Sequence, residues 1–230
     1  MIASSWDQRI HRAEQLAEQQ PASAEFLRFY ARVARFQKGI YERLKLEAGD
    51  FQPAFLAREL TPFLRLIQEI GPPAVADEAR TLERDNTSLD EVLEDPAEFF
   101  ARALLQPYME CLARCPYCGD KPLAGVLRGE GDGAKRSLMC WMCSREREFR
   151  RLVCPACGEE RNDRLPVYTA AGLEHVRVDA CDTCQAYMKS VDLTKNGLAV
   201  PCVDEIATVS LDLWAEEHGY KKITRNLVGI

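Results

Sequence analysis

Most of the cysteines in this chain come in pairs separated by two residues. The pairs are Cys115/Cys118, Cys140/Cys143, Cys154/Cys157 and Cys181/Cys184. A Cys-x-x-Cys turn places two sulfurs on one side of a tight loop, where both can bind one ion at about 2.3 Å. Eight such cysteines are the ligand set of two tetrahedral four-sulfur sites, for zinc or for rubredoxin-like iron. The spacing therefore predicts two metal ions in the second half of the chain.

The four pairs belong to two copies of one repeat. One copy begins with Cys-Pro-Tyr-Cys-Gly and the other with Cys-Pro-Ala-Cys-Gly, and the two pairs of a copy are separated by 21 and 23 residues respectively. These near-equal spacers favour one ion per copy. The first ion would be held by Cys115, Cys118, Cys140 and Cys143, and the second by Cys154, Cys157, Cys181 and Cys184. An interleaved pairing, as in zinc cross-braces, is the alternative.

Each spacer has the pattern of a β-hairpin. In the first copy, apolar residues 123–127 precede a glycine-rich turn at 128–133, and residues 135–139 return. In the second, residues 166–170 and 173–180 flank a turn at Gly172. Each copy is thus predicted to form a zinc-ribbon or rubredoxin-like module. Such a small module buries little apolar surface, so the ion must supply part of its folding energy.

Ligation by cysteine alone leaves no open coordination position, which argues against metal-assisted hydrolysis and favours a structural role. Redox iron, thiol chemistry and disulfides are the alternatives. With both sites full, His175 and His218 are expected at the surface or at a helix end. Cys111 and Cys202 lie outside the pairs and are expected to be small buried hydrophobic residues.

Composition and charge exclude several classes of protein. The 230 residues carry a net charge of -6, which argues against general nucleic-acid binding. No stretch approaches the roughly 20 apolar residues of a membrane span, and the charged residues among the first 20 exclude an apolar signal segment. The chain is therefore expected in the cytoplasm, where thiols stay reduced and available to metals.

The first 110 residues differ from the rest, since they hold 13 basic and 19 acidic residues and no cysteine. Apolar residues spaced by three and four predict helices, among them a long one from Phe26 to near Gly49, and one that begins at Thr61-Pro62. Pro107 is expected to kink or stop a later helix. The fold class is therefore α+β, with a helical domain at 1–110, metal modules at 111–152 and 153–200, and a C-terminal helix with its tail at 201–230.

Basic residues gather at the connection between the two modules. Arg147, Arg150 and Arg151 lie in the ten residues between them, with further arginines at 145, 161 and 164. Their charge is balanced by glutamates at 146, 148, 159 and 160, so a solvated rim is the simplest interpretation. The functional alternatives are a contact with nucleic acid or with an acidic partner protein, to which Arg147, Arg150 and Arg151 would contribute.

Five segments resemble one known family. They are CPYCGDKPLAGVL, LMCWMC, RLVCPACG, CDTCQAYMK and DEIATVSLDLWAEEHGY, which cover about residues 111–225. In order and spacing, they are similar to the formate dehydrogenase accessory protein FdhE family.

The resemblance implies a cytoplasmic assembly factor that is not itself an enzyme. It implies that the partner is the molybdenum- or tungsten-dependent catalytic subunit of formate dehydrogenase, whose maturation the protein would support. It also implies that the two cysteine groups are rubredoxin-like and carry iron or zinc. A zinc-ribbon nucleic-acid-binding protein and a rubredoxin-like electron carrier are the rival hypotheses.

Overall fold

The computed structural model describes residues 5–46, 53–131 and 133–230. Its first half is helical, as predicted. The helices described there are α1 (Ser5–Gln19), α2 (Ala24–Leu46), α3 (Pro53–Ile70), α4 (Pro73–Arg84), α5 (Leu89–Val92) and α6 (Phe99–Cys111). The predicted end of the long helix near Gly49 lies outside the described residues.

Helix α3 runs through Pro62, so the predicted helix start at Thr61-Pro62 is wrong. Thr61 and Pro62 are both exposed, whereas Phe63 and Ile67 on the opposite face are fully buried. An interior proline costs about 3 kcal/mol. Burial of each large apolar side chain contributes about 1.5–3 kcal/mol, and the buried face continues on both sides of the proline. Packing therefore carries the helix past Pro62.

Helix α6 likewise continues through Pro107 and ends at Cys111, so the proline does not stop it. This helix is buried along most of its length and packs against α2. At its end, Cys111 is exposed, contrary to the expectation for a lone cysteine. Cys202, by contrast, is buried as expected.

The second half contains the two predicted hairpins. Its strands are β1 (Pro122–Glu130), β2 (Gly133–Cys140), β3 (Glu146–Glu148), β4 (Val167–Thr169), β5 (Val176–Cys181) and β6 (Ala186–Asp192). β1 pairs with β2, and β4 pairs with β5, in antiparallel fashion. In each copy of the repeat, the second cysteine pair leads directly into a third strand, β3 or β6, which pairs with the second strand of that copy.

The two copies share one sheet, whose described strands run in the order β3-β2-β1-β6-β5-β4. The copies meet where β1 pairs with β6 in parallel. Gly125 of β1 lies opposite Ser190 of β6, and a Cβ at position 125 would come within 2.1 Å of the Ser190 Oγ. The absence of a side chain at Gly125 therefore allows the two copies to approach each other.

The C-terminal region is helical as predicted, but its helix is divided. α7 (Pro201–Ala207) and α8 (Val209–Glu217) are separated at Thr208, whose hydroxyl donates to the carbonyl oxygens of Asp204 and Glu205. Gly219, with φ +83°, follows α8, and the short strand β7 (Lys221–Lys222) then pairs with β6. Helix α7 contacts α1, α2, β1 and β6, and it therefore lies between the helical half and the sheet.

Two hydrophobic clusters stabilise the described residues. The larger extends from α1, α2, α3 and α6 into the first copy of the repeat, where Cys115, Cys140 and Met142 are members, and on to α7. The smaller lies between β5, β6 and α8 and includes Val178 and Tyr187. The larger cluster therefore crosses residue 111, where the composition changes. The domain boundaries derived from composition remain predictions.

Candidate metal centres

The first cysteine group brings together the two ends of the first hairpin. Cys115 and Cys118 flank a 3₁₀ turn just before β1, and Cys140 ends β2, with Cys143 in the turn that follows. The four sulfurs lie within 4.8 Å of one another. They form one group because the β1–β2 hairpin folds the chain back and places both pairs at the same end of the sheet.

The second group repeats this arrangement in the second copy. Cys154 and Cys157 precede β4, Cys181 ends β5, and Cys184 lies in the turn before β6. These four sulfurs also lie within 4.8 Å of one another. The structure thus groups the cysteines as one contiguous set per repeat and not in the interleaved arrangement.

The spacing of the sulfurs fits a tetrahedral ion. Sulfurs bound at about 2.3 Å to a tetrahedral centre are separated by about 3.8 Å. The Sγ–Sγ distances are 3.5 Å for Cys118–Cys143, 3.8 Å for Cys154–Cys184 and 3.7 Å for Cys157–Cys181. A disulfide would require about 2.05 Å. All ten cysteines lie in the described part of the chain, and all are free thiols.

Backbone N–H groups point at the sulfurs in both groups. The amides of Tyr117 and Ala156, each two residues after the first cysteine of a copy, donate to the sulfurs of Cys115 and Cys154. Equivalent amides reach the other pairs. A donor aimed at sulfur stabilises the thiolate, which is the form that binds metal. The turns are therefore built to hold thiolates.

The cysteine that begins the second pair of each copy has a lowered pKa. The Cys143 thiol donates to Cys140 and lowers the pKa of Cys140 to about 5. Burial alone would raise the pKa of Cys181, but the amides of Cys184 and Thr183 outweigh it and lower that pKa. Equivalent positions in the two copies thus favour the thiolate in the same way.

Left-handed residues close three of the four turns. They are Ser144 (φ 58°), Gly158 (φ 77°) and Gln185 (φ 55°), each of which directly follows a cysteine pair. The glycine of the equivalent turn in the first copy, Gly119, differs, since it is the last residue of a 3₁₀ turn and is not among the residues with positive φ.

A buried arginine lies next to each group. Arg102 of α6 donates to the carbonyl oxygens of Trp141 and Arg225, at 2.7 Å in both cases. Arg136 of β2 donates to the Val153 carbonyl beside Cys154, at 3.2 Å. Burial lowers the pKa of Arg102 to about 10 and also lowers the pKa of Arg136. Both side chains hold backbone next to a cysteine, and both are cations near the candidate thiolates.

The connection between the modules has an exposed basic side. Arg147 lies 5.6 Å from the ring centroid of Phe149, Arg150 pairs with Glu160, and Arg151 is exposed. The backbone of this connection is held by β2, because the Arg136 side chain of that strand also donates to the carbonyl oxygens of residues 150 and 151.

Arg145 differs from its neighbours. Its guanidinium donates to the carbonyl oxygens of Glu110, Leu112 and Ala113 after α6. This arginine therefore joins the helical half to the first module and does not belong to the exposed rim.

His175 and His218 have structural contacts. His218 ends α8 as expected, where its ring stacks on Trp214 at 4.2 Å between centroids. His175 is mostly buried, with its Nε2 3.0 Å from Asp204, so the expectation of a surface position is wrong for it. Asp204 also forms an ion pair with Arg12 of α1 at 2.6 Å and therefore connects α1, α7 and the turn that precedes β5.

A buried ionic cluster lies behind the second module and was not predicted. Lys189 is 3.1 Å from Glu205 and 2.5 Å from Asp212, and all three side chains are at most 2% exposed. Lys222 pairs with both carboxylates, and the Tyr187 hydroxyl donates to Asp212. Lys189 is the central residue of β6, a strand that also contains Ser190 and Asp192, so its charge did not stand out in the sequence.

The charges of this cluster determine the pKa values within it. Burial alone would raise the pKa of Glu205, but the charges of Lys189 and Lys222 outweigh it and hold this pKa at about 2. Burial lowers the pKa of Lys189. The carboxylate of Glu205 is therefore ionised in the folded protein throughout the physiological range.

Comparison with known proteins identifies relatives of this chain. The family model for the FdhE C-terminal domain matches residues 152–228. A protein FdhE homolog from Aquifex aeolicus is 31% identical over 211 residues, which cover 81% of this chain and 74% of that protein. One from Pseudomonas putida is also 31% identical, but the match covers 51% of this chain and only 38% of that protein.

The fold also has a counterpart among solved structures. The crystal structure of the FdhE protein from Pseudomonas aeruginosa superposes with a TM-score of 0.71 and 23% sequence identity, covering 98% of this chain and 96% of that one. The helical half, the shared sheet and the C-terminal helices thus have the FdhE architecture. Together with the identity to the Aquifex aeolicus protein over most of its length, this shows that the chain belongs to the FdhE family.

Proposed function

We propose that this protein is a cytoplasmic accessory factor for the maturation of formate dehydrogenase. It would bind the catalytic subunit of that enzyme and would not catalyse a reaction itself. The observation that carries this proposal is the pair of complete four-cysteine groups on one sheet, in a chain that belongs to the FdhE family. A group whose four sulfurs all bind the ion leaves no position for a substrate.

Each group would hold one ion of iron or zinc, with the four cysteines of its own repeat as ligands. The ion would supply folding energy and fix the turns, because both cysteine pairs must come together to bind it. The chain contributes backbone amides that stabilise the thiolates. It also contributes the nearby cations of Arg102 and Arg136. Metal analysis of the purified protein should find two ions per chain, and ferric iron would be recognised by its red colour.

The connection between the modules is the partner surface that we propose. Arg147, Arg150 and Arg151 are exposed on it, and Leu152 beside them is 57% exposed. Exposed arginines next to an apolar side chain and an aromatic ring are typical of residues that contribute strongly to protein interfaces. The carbonyl contacts of Arg136 hold this surface in one conformation, which reduces the entropy lost on binding.

A binding and complementation experiment tests the function. Tagged protein should retain the formate dehydrogenase catalytic subunit from cell extract. Cells lacking the protein should lose formate dehydrogenase activity while they make normal amounts of its polypeptide. Absence of binding together with full activity in the deleted strain would contradict the proposal.

A charge reversal tests the surface separately. The triple variant Arg147→Glu, Arg150→Glu, Arg151→Glu should bind the catalytic subunit at least about tenfold more weakly, a loss of about 1.4 kcal/mol, with unchanged metal content. The matched control reverses three exposed arginines of α3 and α4, at positions 65, 80 and 84. Equal binding by both variants would remove the connection from the proposed interface.

The same exposed arginines motivate a second candidate, which is nucleic-acid binding. The pairing of Arg150 with Glu160 and the net charge of -6 weaken it. Retention on DNA or RNA that falls steeply with salt would support this candidate. Retention that is unchanged in the triple arginine variant would exclude these arginines as the binding site, and absence of retention would exclude the candidate.

A further inference from the structure

Three of the four cysteines of the first group are enclosed by apolar side chains, and the fourth, Cys118, is half-buried against the same cluster. Cys115, Cys140 and Cys143 are buried and belong to the larger hydrophobic cluster, together with Trp141 and Met142 between the last two of them. Cys143 is only 2% exposed. An ion at this group would therefore lie within the protein core.

An aromatic pair, the proposed cover of this group, adjoins the half-buried Cys118 in the sequence. Tyr117 lies between Cys115 and Cys118, and its ring packs edge-on against Trp141, with 5.2 Å between centroids. A cleft of about 1490 Å³ opens beside this group between α2, α6 and the C-terminal segment. Trp141 is among the described residues that line the cleft, but none of the cysteines is. Even the large cleft thus ends at the tryptophan and does not reach the sulfurs.

The second group has a different environment. Cys157 and Cys184 are exposed, although Cys154 and Cys181 are buried. Among the described residues, neither hydrophobic cluster contains a cysteine of this group. The contacts around it are polar, since Thr183 donates to Glu159 at 2.6 Å beside the cysteines. One side of the second group therefore faces solvent.

We propose that the two centres have different tasks: the first holds a permanent structural ion, and the second holds an ion that exchanges with an external ligand. The ligand would be a soft donor such as a thiolate, or a chelating nitrogen donor. Its lone pair would form a bond to the ion as the bond from the ion to the Cys157 sulfur breaks. The released thiolate would take a proton from water, and the remaining cysteines would be displaced in the same way.

The difference follows from access. Ligand exchange at a four-sulfur site requires the incoming donor to approach the ion while a sulfur leaves. At the first group, three of the four cysteines are buried, and the half-buried Cys118 follows Tyr117, whose ring packs on the buried Trp141. At the second, Cys157 and Cys184 already lie at the surface. The proposal concerns the protein's own metal and does not depend on the identity of the partner.

Metal release from the full-length protein tests the inference. Zinc-loaded protein is mixed with excess 4-(2-pyridylazo)resorcinol, and the coloured zinc complex is followed over time. Two phases of one equivalent each are expected, with rates at least about tenfold apart, or about 1.4 kcal/mol in activation free energy. Release of both ions at one rate, or binding of fewer than two ions, would overturn the proposal.

Alkylation assigns the phases in the unaltered protein. Iodoacetamide is added during chelation, and modified peptides are identified by mass spectrometry at successive times. Cys154, Cys157, Cys181 and Cys184 should be labelled in the fast phase. Prior labelling of the first group would reverse the assignment and so contradict the proposal.

A variant tests the aromatic cover. Tyr117→Ala should accelerate the slow phase at least threefold and leave the fast phase unchanged, because only the first group loses its cover. Tyr41→Ala, which removes a ring that packs on Trp6 in the helical half, is the matched control and should change neither phase. An unchanged slow phase in Tyr117→Ala would show that the ring pair does not seal the first centre.

Discussion

At the scale of single residues, backbone conformation separates cysteine turns that look alike in the sequence. Gly119 and Gly158 each follow a Cys-Pro-x-Cys motif, but only Gly158 is left-handed, with φ 77°. At the other two turns, Ser144 and Gln185 take this conformation although they carry side chains. The left-handed conformation costs a residue with a Cβ roughly 1–2 kcal/mol. The equivalent glycines therefore differ in what they contribute to stability.

We expect Gly158→Ala to lower the free energy of unfolding of the metal-loaded protein by about 1–2 kcal/mol. A Cβ at position 158 would meet no atom within 4 Å, so the loss comes from backbone conformation alone. Gly119→Ala is the matched control, since its Cβ is equally free and its φ is not positive; we expect a change within about 0.5 kcal/mol. Chemical denaturation measures the unfolding free energies of both variants. Equal losses in the two would contradict the difference in backbone conformation between Gly158 and Gly119.

The buried ionic cluster leads to a prediction about pH. Glu205→Gln leaves Lys189 and Lys222 with one carboxylate fewer. This substitution should lower the free energy of unfolding by about 3–5 kcal/mol near neutral pH. The pKa of Glu205 falls from 4.5 to about 2 on folding, so its contribution is complete above about pH 4.5 and is lost as the pH falls towards 2.

The difference in unfolding free energy between parent and variant should therefore shrink over this range of pH. Taking the difference between the two proteins cancels the loss of metal at low pH, which affects both equally. A difference that stayed constant from neutral pH to pH 2 would show that Glu205 is not ionised against the lysines.

The cysteine ligand sets could be predicted from the sequence because each depends on local spacing and on one hairpin. The buried ionic cluster could not be predicted from the sequence. Lys189, Glu205, Asp212 and Lys222 lie on four different elements, and each alone resembles an ordinary surface charge. Their burial depends on how α7, α8 and the tail pack against β6, which no local pattern specifies.

At the scale of elements, the parallel pairing of β1 with β6 makes one sheet from two modules. Gly125→Ala should lower the free energy of unfolding by about 1–3 kcal/mol, because its Cβ would collide with Ser190 across this pairing. The hydroxyl of Ser190 donates to Asp179 at 2.7 Å and cannot move without breaking that bond.

Gly129→Ala is the control on the same strand, since a Cβ there has no neighbour closer than 3.9 Å. Thermal unfolding of the two variants under the same metal load gives the comparison. A loss of stability as large in Gly129→Ala as in Gly125→Ala would show that the effect arises from strand propensity and not from contact between the copies.

The hairpins were predicted correctly because turn residues and strand alternation are local signals. The joining of the copies was not predicted, since pairing between strands more than 50 residues apart leaves no signature in spacing. The predicted helix start at Thr61 was wrong, and Pro107 does not end α6, for a related reason. Proline disfavours the interior of a helix, but burial of the apolar face around it outweighs this local effect.

At the scale of the whole molecule, the larger hydrophobic cluster joins the helical half to the first cysteine group. We therefore expect Cys115→Ala, Cys118→Ala to lower the melting temperature of the helices as well as of the sheet. Circular dichroism at a helix-sensitive wavelength measures the melting of the helices. The fluorescence of Trp141, which lies between Cys140 and Cys143, measures that of the sheet in a background where Trp6 and Trp214 are replaced by Phe. Removal of both ions by chelation should have the same effect.

The boundary at residue 111, proposed from composition, predicts a different result. If the two parts fold independently, the helical signal should melt at an unchanged temperature in the double cysteine variant. An exposed pair such as Arg80→Ala, Arg84→Ala is the control for the general effect of substitution. The experiment thus determines whether the compositional boundary is also a boundary of folding.

The ion pair between Arg12 and Asp204 has a consequence for synthesis in the cell. The ribosome releases α1 long before α7, and the two residues are 192 positions apart. During translation, the apolar face of α1 can pack on α2 as soon as that helix emerges, but the guanidinium of Arg12 has no carboxylate of Asp204 to pair with until α7 is made. Contacts over such distances form late and leave intermediates prone to aggregation. Slowing translation should therefore not help this protein to fold, whereas a chaperone that shields α1 until α7 emerges should.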